Sequence, residues 1–248
     1  MTQLNFQILR YPSLPSTNLE AAKRAAEGAP EGLVIVADEQ TAGRGRLGRH
    51  WVSPKGAGLY FSIVLRPQLE VDVWPLITFV AALAVHDALT QCCGLQTDIK
   101  WPNDVLANDR KLCGILAETF DAGSGGSIIL GIGVNLTSSW FPADLRETAT
   151  SVESLIGRIP DRESVLQSVL GAFQNRYSAF LKEGGRAQVI SDWSQRSSFA
   201  SGKRIRVKNG YEILEGVTRG LERDGALRVE TASGEIKVVR AGDVTIAC

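Results

Sequence analysis

Hydrophobic and polar positions follow two different periods along the first 200 residues, which indicates a mixture of strands and helices. Short apolar runs bounded by turn residues, typical of strands, lie at 32–40, 59–67, 97–107, 108–120 and 127–136. Stretches with helical spacing or length lie at 16–29, 73–92, 161–185 and 187–197. The order of these elements predicts an α/β (α+β) domain built around a mixed β-sheet.

The pattern changes near residue 200. From Lys203 onward, short alternating runs are separated by glycine turns, which predicts a small antiparallel β-barrel or sheet. We therefore expect two domains, 1–200 and 201–248. Thr17 with Glu20 three positions later predicts a capping box at the first helix. A Gly- and Asp-rich turn is expected at 121–126.

Several features favour a cytoplasmic protein. The most apolar stretch, 73–85, is too short to span a bilayer and predicts a buried core helix. The N-terminus lacks the basic and apolar regions of a signal peptide. The four cysteines form no C-x-x-C pair and the chain has only two histidines, which disfavours a zinc site or a disulfide framework.

Charge is balanced over the whole chain but concentrated in one loop. Lys plus Arg and Asp plus Glu each number 27, so the net charge is near zero and a general nucleic-acid binder is disfavoured. The segment GRGRLGR at 43–49 nevertheless carries Arg44, Arg46 and Arg49. Its glycines have the G-x-G-x-x-G spacing of a dinucleotide-binding turn, but that motif requires a helix to follow.

The residues after this loop contain Pro54 and several glycines and then a β-rich run, so no helix is predicted there. A flexible loop that clamps an anion explains the arginines better, with a solvated basic turn as the alternative. Three like charges within six residues repel each other, so we expect the loop to be ordered by its ligand.

Three further motifs follow along the chain: KWPNDV at 100–105, RKLCGIL at 110–116 and GIGVNL at 131–136. Each alone also fits an ordinary turn or strand end. No Ser-His-Asp or Cys-His arrangement is evident, and Cys113 is expected to serve packing.

Taken in order, and together with STN at 16–18 and QTA at 40–42, these motifs resemble the catalytic region of biotin protein ligases, also called biotin–[acetyl-CoA-carboxylase] ligases. The resemblance covers about residues 10–140 by motif, and the β-rich C-terminal segment extends it to the end. It implies that ATP, with Mg²⁺, activates biotin to biotinoyl-5′-AMP with release of pyrophosphate. The biotin then passes to a lysine of a biotin carboxyl carrier domain of acetyl-CoA carboxylase or a related carboxylase.

The resemblance also implies site residues. The catalytic residues would be Lys111, Arg46 and Arg44. Biotin would be bound by Ser16, Thr17, Asn18, Gln40, Arg44, Gly45, Arg46 and Lys111. ATP would be bound by Arg46, Arg49, Trp51, Lys100, Asn103, Asp104, Gly114 and Asn135, with Asp104 also holding Mg²⁺.

Two departures from the family pattern carry expectations of their own. Only 15 residues precede Ser16, too few for the DNA-binding domain of repressor members, so we expect a monofunctional enzyme that binds no DNA. Leu47 stands where the family pattern leads us to expect arginine. A homodimer is also implied, although no stretch marks its interface.

Two other functions stay open at this point. A lipoate–protein ligase would share the fold and the reaction, but lipoate lacks the ureido ring that Ser16, Thr17, Asn18 and Gln40 would bind. A nucleic-acid-binding module would use the basic loop, although zero net charge disfavours it.

Overall fold

The computed structural model describes residues 4–120 and 126–247, which form two β-sheets and five α-helices. The turn expected at 121–126 falls almost wholly outside these residues, as does Cys248. In chain order the elements are β1 Gln7–Tyr11, α1 Thr17–Ala26, β2 Leu33–Ala37, β3 Gly58–Leu65, α2 Leu76–Cys93, β4 Asp98–Lys100, β5 Asp104–Ala107, β6 Arg110–Phe120, β7 Ser127–Asn135, α3 Val152–Ile156, α4 Arg162–Phe180, α5 Gly185–Gln195, β8 Ser201–Asn209, β9 Glu212–Leu221, β10 Leu227–Glu230, β11 Ile236–Val239 and β12 Asp243–Ile246.

The larger sheet has seven strands in the order β1-β2-β3-β7-β6-β5-β4. The β1–β2 pair is parallel and the remaining pairs are antiparallel, so the predicted mixed sheet is confirmed. β7 lies at the centre, and all nine of its residues are buried. Such a continuous apolar run is expected of a strand covered on both faces.

The sequence missed two elements, β1 and α3. β1 is an edge strand whose residues are half-buried or exposed, so its hydrophobic pattern is weak. α3 has only five residues; its N-cap is Ser151, whose side chain accepts a hydrogen bond from the Ser154 backbone N–H. A five-residue element is too short to show helical periodicity.

α2 forms the centre of the hydrophobic core, as predicted. Val71–Cys93 has the length and composition of a membrane span, which corrects the expectation that this stretch is too short, but 67% of its most apolar window is buried within the protein. The two helices predicted over 161–185 and 187–197 are present as α4 and α5, but the boundary between them lies earlier in the chain than predicted. α4 ends at Phe180, and Gly184, with a φ of 77°, is the N-cap residue of α5.

The C-terminal strands form a five-stranded antiparallel sheet in the order β11-β10-β9-β8-β12, which confirms the predicted antiparallel β domain. Its inner residues Ile205, Leu227 and Val229 belong to the same hydrophobic cluster as Phe79 and Trp101 of the larger unit. The boundary near residue 200 stays a prediction, because the two sheets share one continuous core.

Candidate active site

A cleft lies over the face of β6 and β7, between the N-terminus of α1 and the arginine loop. The structure brings most of the predicted biotin and ATP residues to this cleft. It is lined by Ser16, Thr17, Asn18, Gln40, Arg44, Gly45, Arg46, Arg49, His50, Trp51, Asn103, Asp104, Lys111, Gly114, Ile115, Leu116, Gly131, Ile132, Gly133 and Asp243.

The N-terminus of α1 forms one end of the cleft. The predicted capping box is wrong: Ser16 is the N-cap residue, and no side-chain cap hydrogen bond forms. Instead, the hydroxyl and backbone N–H of Thr17 donate to Gln40 Oε1 at 3.0 and 2.8 Å. Glu20 turns away and accepts from Arg24. The Thr17 hydroxyl therefore bonds Gln40 in the cleft and does not cap the helix.

Gln40 is held in one orientation by partners at both ends of its amide. Its Nε2 donates to Ser53 Oγ at 2.9 Å, and its Oε1 accepts from Thr17. Ser16, Thr17 and Asn18 are all at most 5% exposed. Buried donors and acceptors with fixed directions suit a polar, uncharged ring group that can satisfy them.

The arginine loop connects β2 to β3, with a short 3₁₀ turn at Arg46–Gly48. An extended strand follows, so rejection of the dinucleotide-binding motif is confirmed. Leu47 adopts a left-handed φ of 54° and is 64% exposed, so it does not pack into the protein. That conformation is uncommon for a residue with a side chain.

Each loop arginine has a protein partner. Arg44 pairs with Glu118 at 2.8 Å, and Arg49 pairs with Asp243 of the C-terminal sheet. Arg46 Nη1 donates to Asn103 Oδ1 at 3.0 Å. These contacts offset the mutual repulsion of the arginines, and the expected ordering by ligand stays a prediction.

Burial of Arg46 lowers the pKa of its guanidinium, and the carboxylates of Asp243 and Asp104 oppose that shift. An arginine keeps its charge even so, because its ordinary pKa exceeds about 12. The cleft therefore holds a desolvated, permanent cation, a strong partner for carboxylate or phosphate oxygens.

Lys111 lies near the middle of the cleft. Its Nζ is 2.6 Å from Asp104 Oδ1 in an ion pair without aligned hydrogen-bond geometry, and 5.3 Å from the centre of the Trp51 ring. Its backbone N–H donates to Thr148 O at 2.8 Å, and Thr150 N–H donates to its carbonyl at 2.9 Å. The backbone is thus fixed while the ammonium faces the cleft.

Trp51 lies flat against a pair of glycines, Gly114 of β6 and Gly133 of β7, which are directly opposite each other in register. A Cβ at Gly133 would stand 2.6 Å from Trp51 Nε1, and one at Gly114 would stand 2.9 Å from the ring. Glycine is therefore required at both positions because the Trp51 ring approaches the backbone closely, and not because of the backbone conformation. The indole N–H is buried without a partner, which leaves a donor available in the cleft wall.

The KWPND segment forms the turn between β4 and β5, and its Trp101–Pro102 peptide bond is cis. Asn103 Nδ2 donates to Ile115 O at 2.8 Å, and its Oδ1 accepts from Arg46. Burial lowers the pKa of Lys100 below the usual lysine value, against the raising effect of the Asp104 carboxylate. This turn therefore places Lys100, Asn103 and Asp104 beside the arginine loop.

A second cavity of about 640 Å³ adjoins the cleft and shares Trp51, Asp104 and Lys111 with it. Lys100 and Asn135 line this second cavity. Asn135 is 4% exposed and its Nδ2 donates to Thr150 O at 3.1 Å and Lys111 O at 3.3 Å. Its predicted contact with ATP stays a prediction, because the amide nitrogen already braces the strand that carries Lys111.

Asp104 is the carboxylate predicted to hold a magnesium ion, and Asp243, which also lines the cleft, is paired with Arg49. Residues 4–120 and 126–247 contain no group of three or more His, Cys, Asp or Glu side chains arranged for a metal. Mg²⁺ is often bound by one or two carboxylates together with substrate phosphates, and Asp104 suits that arrangement. Its pairing with Lys111 means that a phosphate or metal would rearrange both side chains.

Three contributors were missed by sequence reasoning. Glu118 follows Gly114 at even spacing on β6 and so faces the same side, a signal that period-two counting could have found. Ser62 is a lone hydroxyl between Phe61 and Ile63 in a buried strand. Asp243 is 194 positions from Arg49 and carries no local signal.

Comparison with known proteins agrees with this geometry. Residues 11–135 match the model of the biotin/lipoate A/B protein ligase family, and residues 200–246 match the biotin protein ligase C terminal domain. The biotin–[acetyl-CoA-carboxylase] ligase of Paracoccus denitrificans is 38% identical over 92% of this chain and 96% of that protein. The bifunctional ligase/repressor BirA of Bacillus subtilis is 36% identical over 96% of this chain and 74% of that protein.

Among solved structures, biotin protein ligase from Aquifex aeolicus in complex with biotin and ATP superposes with a TM-score of 0.83 at 28% identity, over 97% of this chain and 98% of that one. The chain belongs to the biotin/lipoate A/B protein ligase family. Within that family, the C-terminal match and the named relatives favour a biotin ligase over the lipoate ligase alternative.

Proposed function

We propose that this protein is an ATP-dependent biotin–[acetyl-CoA-carboxylase] ligase. One observation carries the proposal: a single cleft places fixed, uncharged hydrogen-bonding groups at one end and desolvated cations at the other. Such a cleft suits a ligand with a polar ring and a carboxylate tail. The matches to biotin ligases over both parts of the chain support the same substrate.

At the ring end, Thr17, Asn18 and Gln40 would bind the ureido group, which offers one carbonyl acceptor and two N–H donors. Ser16 stands beside them with 2% exposure. A dithiolane ring, as in lipoate, has no N–H donor or carbonyl, so it could form none of these hydrogen bonds and would gain no binding energy from the polar lining. The polar lining therefore discriminates between the two acids.

At the cationic end, Lys111 and Arg46 would hold the carboxylate of biotin against the α-phosphate of ATP. A carboxylate oxygen attacks the α-phosphorus, the bond to the β-phosphate oxygen breaks, and pyrophosphate leaves. Negative charge is concentrated around the α-phosphoryl group during this step, and preorganised cations stabilise it. Arg49, Lys100 and Asn103 would contact the remaining phosphate oxygens, and Asp104 would hold Mg²⁺.

In the second step, the ε-amine of a carrier-domain lysine attacks the carbonyl carbon of biotinoyl-AMP, an amide bond forms and AMP leaves. No nucleophile of the enzyme is required. Cys113 is fully buried, and burial raises the pKa of its thiol, so it is unsuited to attack.

The carrier domain of acetyl-CoA carboxylase or a related carboxylase is the proposed acceptor, on the strength of the relatives' names. We also propose a cytoplasmic location, from the cysteine usage. The absence of DNA binding and the homodimer stay predictions.

Biotin-dependent exchange between ATP and labelled pyrophosphate tests the first step, with lipoate as the control acid. We expect exchange with biotin and none above background with lipoate. Transfer of biotin to a purified carrier domain, followed by intact mass, tests the second. Exchange that is supported equally by both acids would contradict the proposed substrate.

A further inference from the structure

A line of polar side chains runs beneath the floor of the cleft and starts from a serine outside the predicted site. Ser62 lies in the middle of β3 and is completely buried. Its Oγ is 2.7 Å from Thr17 Oγ1 and 2.6 Å from Asn18 Oδ1. Gly131, opposite Ser62 in register, lacks the side chain that would occupy the position of the Asn18 amide.

The line continues toward the arginine loop. Asn18 Nδ2 donates to Glu118 Oε2 at 2.7 Å, and the other carboxylate oxygen of Glu118 pairs with Arg44 Nη2 at 2.8 Å. At the opposite end, Thr17 donates to Gln40. We name the connected side chains Gln40, Thr17, Ser62, Asn18, Glu118 and Arg44 the polar relay.

The directions of these hydrogen bonds depend on one another. The hydroxyl of Ser62 has a single proton and two nearby acceptors, so it donates to Thr17 or to Asn18 but not to both. The amide of Asn18 cannot turn over, because its oxygen would then face the Glu118 carboxylate. A ligand that bonds Thr17 or Asn18 therefore changes what Ser62 donates to, and through Asn18 it changes the contact with Glu118.

We propose that Ser62 and Glu118 are positioning residues that couple recognition of the ligand's ring to the placement of Arg44 through the polar relay. This inference rests on the proposed function, because it takes the ring to be bound by Thr17 and Asn18. Neither Ser62 nor Glu118 has to touch the substrate. When the ring binds, the relay becomes ordered and Glu118 holds Arg44 over the cleft. In the other direction, the ion pair between Arg44 and Glu118 keeps Asn18 in the orientation that binds the ring.

Single substitutions test the two residues. Ser62→Ala and Glu118→Gln each remove one link with little change in shape, and Ser127→Ala and Glu20→Gln are matched controls. Ser127 is a buried strand serine outside the cleft, and Glu20 is an ion-paired carboxylate on the outer side of α1. We expect each relay variant to weaken biotin binding, measured by titration calorimetry, by about fivefold or more, since an orphaned buried partner costs at least about 1 kcal/mol. The controls should bind as the wild type does.

A triple-mutant test separates coupling from a purely structural effect. Ser62 and Arg44 do not touch, so Ser62→Ala and Arg44→Lys should act independently unless the relay joins them. We expect the loss of biotin affinity in the double variant to differ from the product of the single losses by about threefold or more, beyond ordinary additivity error. With Glu118→Gln also present, that difference should vanish.

The relay would be overturned if the losses of biotin affinity from Ser62→Ala and Arg44→Lys simply multiply, both with Glu118 present and with Glu118→Gln. A lower melting temperature with unchanged biotin affinity in Ser62→Ala and Glu118→Gln would overturn it as well. Pyrophosphate exchange by the wild type is measured first, because an inactive wild type counts against the proposed function itself. An active wild type with independent variants counts against the relay alone.

Discussion

Among single residues, Lys111 combines the most constraints: its backbone is bonded on both sides, its ammonium pairs with Asp104, and the Trp51 ring lies beneath it. We expect Lys111→Ala to slow adenylation a hundredfold or more, on the order of 3 kcal/mol for a lost charge-assisted contact in a closed site. Pyrophosphate exchange measures this loss. Lys237→Ala, which removes a β11 lysine that pairs with the preceding Glu235, is the control. Near-normal exchange in Lys111→Ala would remove this lysine from the mechanism.

The charge of Lys100 gives a pH dependence with a definite sign. Burial lowers the pKa of this lysine, so the free enzyme loses the ammonium charge at a lower pH than an ordinary lysine, whose pKa is about 10.4. A neutral Lys100 binds phosphate less well. We therefore expect kcat/KM for ATP to fall as pH rises through the lowered pKa, because this ratio reports groups of the free enzyme.

Lys100→Arg is the matched variant, since arginine stays charged over the whole accessible range. The alkaline fall in kcat/KM should move to higher pH in this variant. An identical pH profile in wild type and variant would assign the fall to another group.

Leu47 bears on retention of the reactive intermediate. The side chain is exposed and makes no packing contribution that its replacement would remove. An arginine there that reached phosphate would contribute about 1.5–3 kcal/mol, and one that formed only a surface pair would contribute less than about 1 kcal/mol. We expect Leu47→Arg to slow release of biotinoyl-AMP by a few-fold to about tenfold, since about 1.4 kcal/mol is a factor of ten.

Free biotinoyl-AMP in solution, assayed without acceptor protein, measures this release. Equal or faster leakage from the variant would show that a cation at position 47 does not contact the intermediate.

At the scale of elements, β6 and β7 carry the cleft because Gly114 and Gly133 form a flat platform for Trp51. Gly133→Ala places a methyl group 2.6 Å from the indole nitrogen, so the ring must move into the cleft. We expect the KM values for biotin and ATP to rise about tenfold or more, in line with the sensitivity of catalysis to displacements of about 1 Å.

Gly171→Ala in α4 is the control for this change. A methyl group at Gly171 meets open space, and alanine is favoured over glycine inside a helix by about 1 kcal/mol. The control should raise the melting temperature and leave both KM values unaltered. Unchanged KM values in Gly133→Ala would show that Trp51 can move without harm to the site.

At the scale of the whole molecule, the C-terminal sheet is part of the core and of the cleft. Trp101 Nε1 donates to Gly225 O at 3.0 Å, and Asp243 reaches Arg49 of the loop. Because Ile205, Leu227 and Val229 share one apolar cluster with the helices, we expect both sheets to unfold in a single transition. Calorimetry and tryptophan fluorescence should give the same midpoint. Two separated transitions would mean that the C-terminal sheet is an independent unit.

The sequence alone determined the features that depend on local pattern. β2, β3, β7 and α2 are strongly apolar runs, and the hydrophobic effect drives such runs into the protein interior. The ordered motifs identified the family, because glycines, arginines and lysines at these spacings are set by the chemistry that they perform. The same spacing of glycines and arginines shows that Leu47 stands where the family pattern has arginine.

Which polar and charged groups meet depends on the folded chain. The hydroxyl of Thr17 had two possible partners, the helix terminus and Gln40, and sequence spacing could not show that Gln40 lies closer. Ser62 and Asp243 meet Thr17 and Arg49 from distant parts of the chain, where nothing local marks their function. Hydrogen bonds and ion pairs act over about 3 Å in space and are indifferent to sequence separation, so their partners exist only once the sheets have formed.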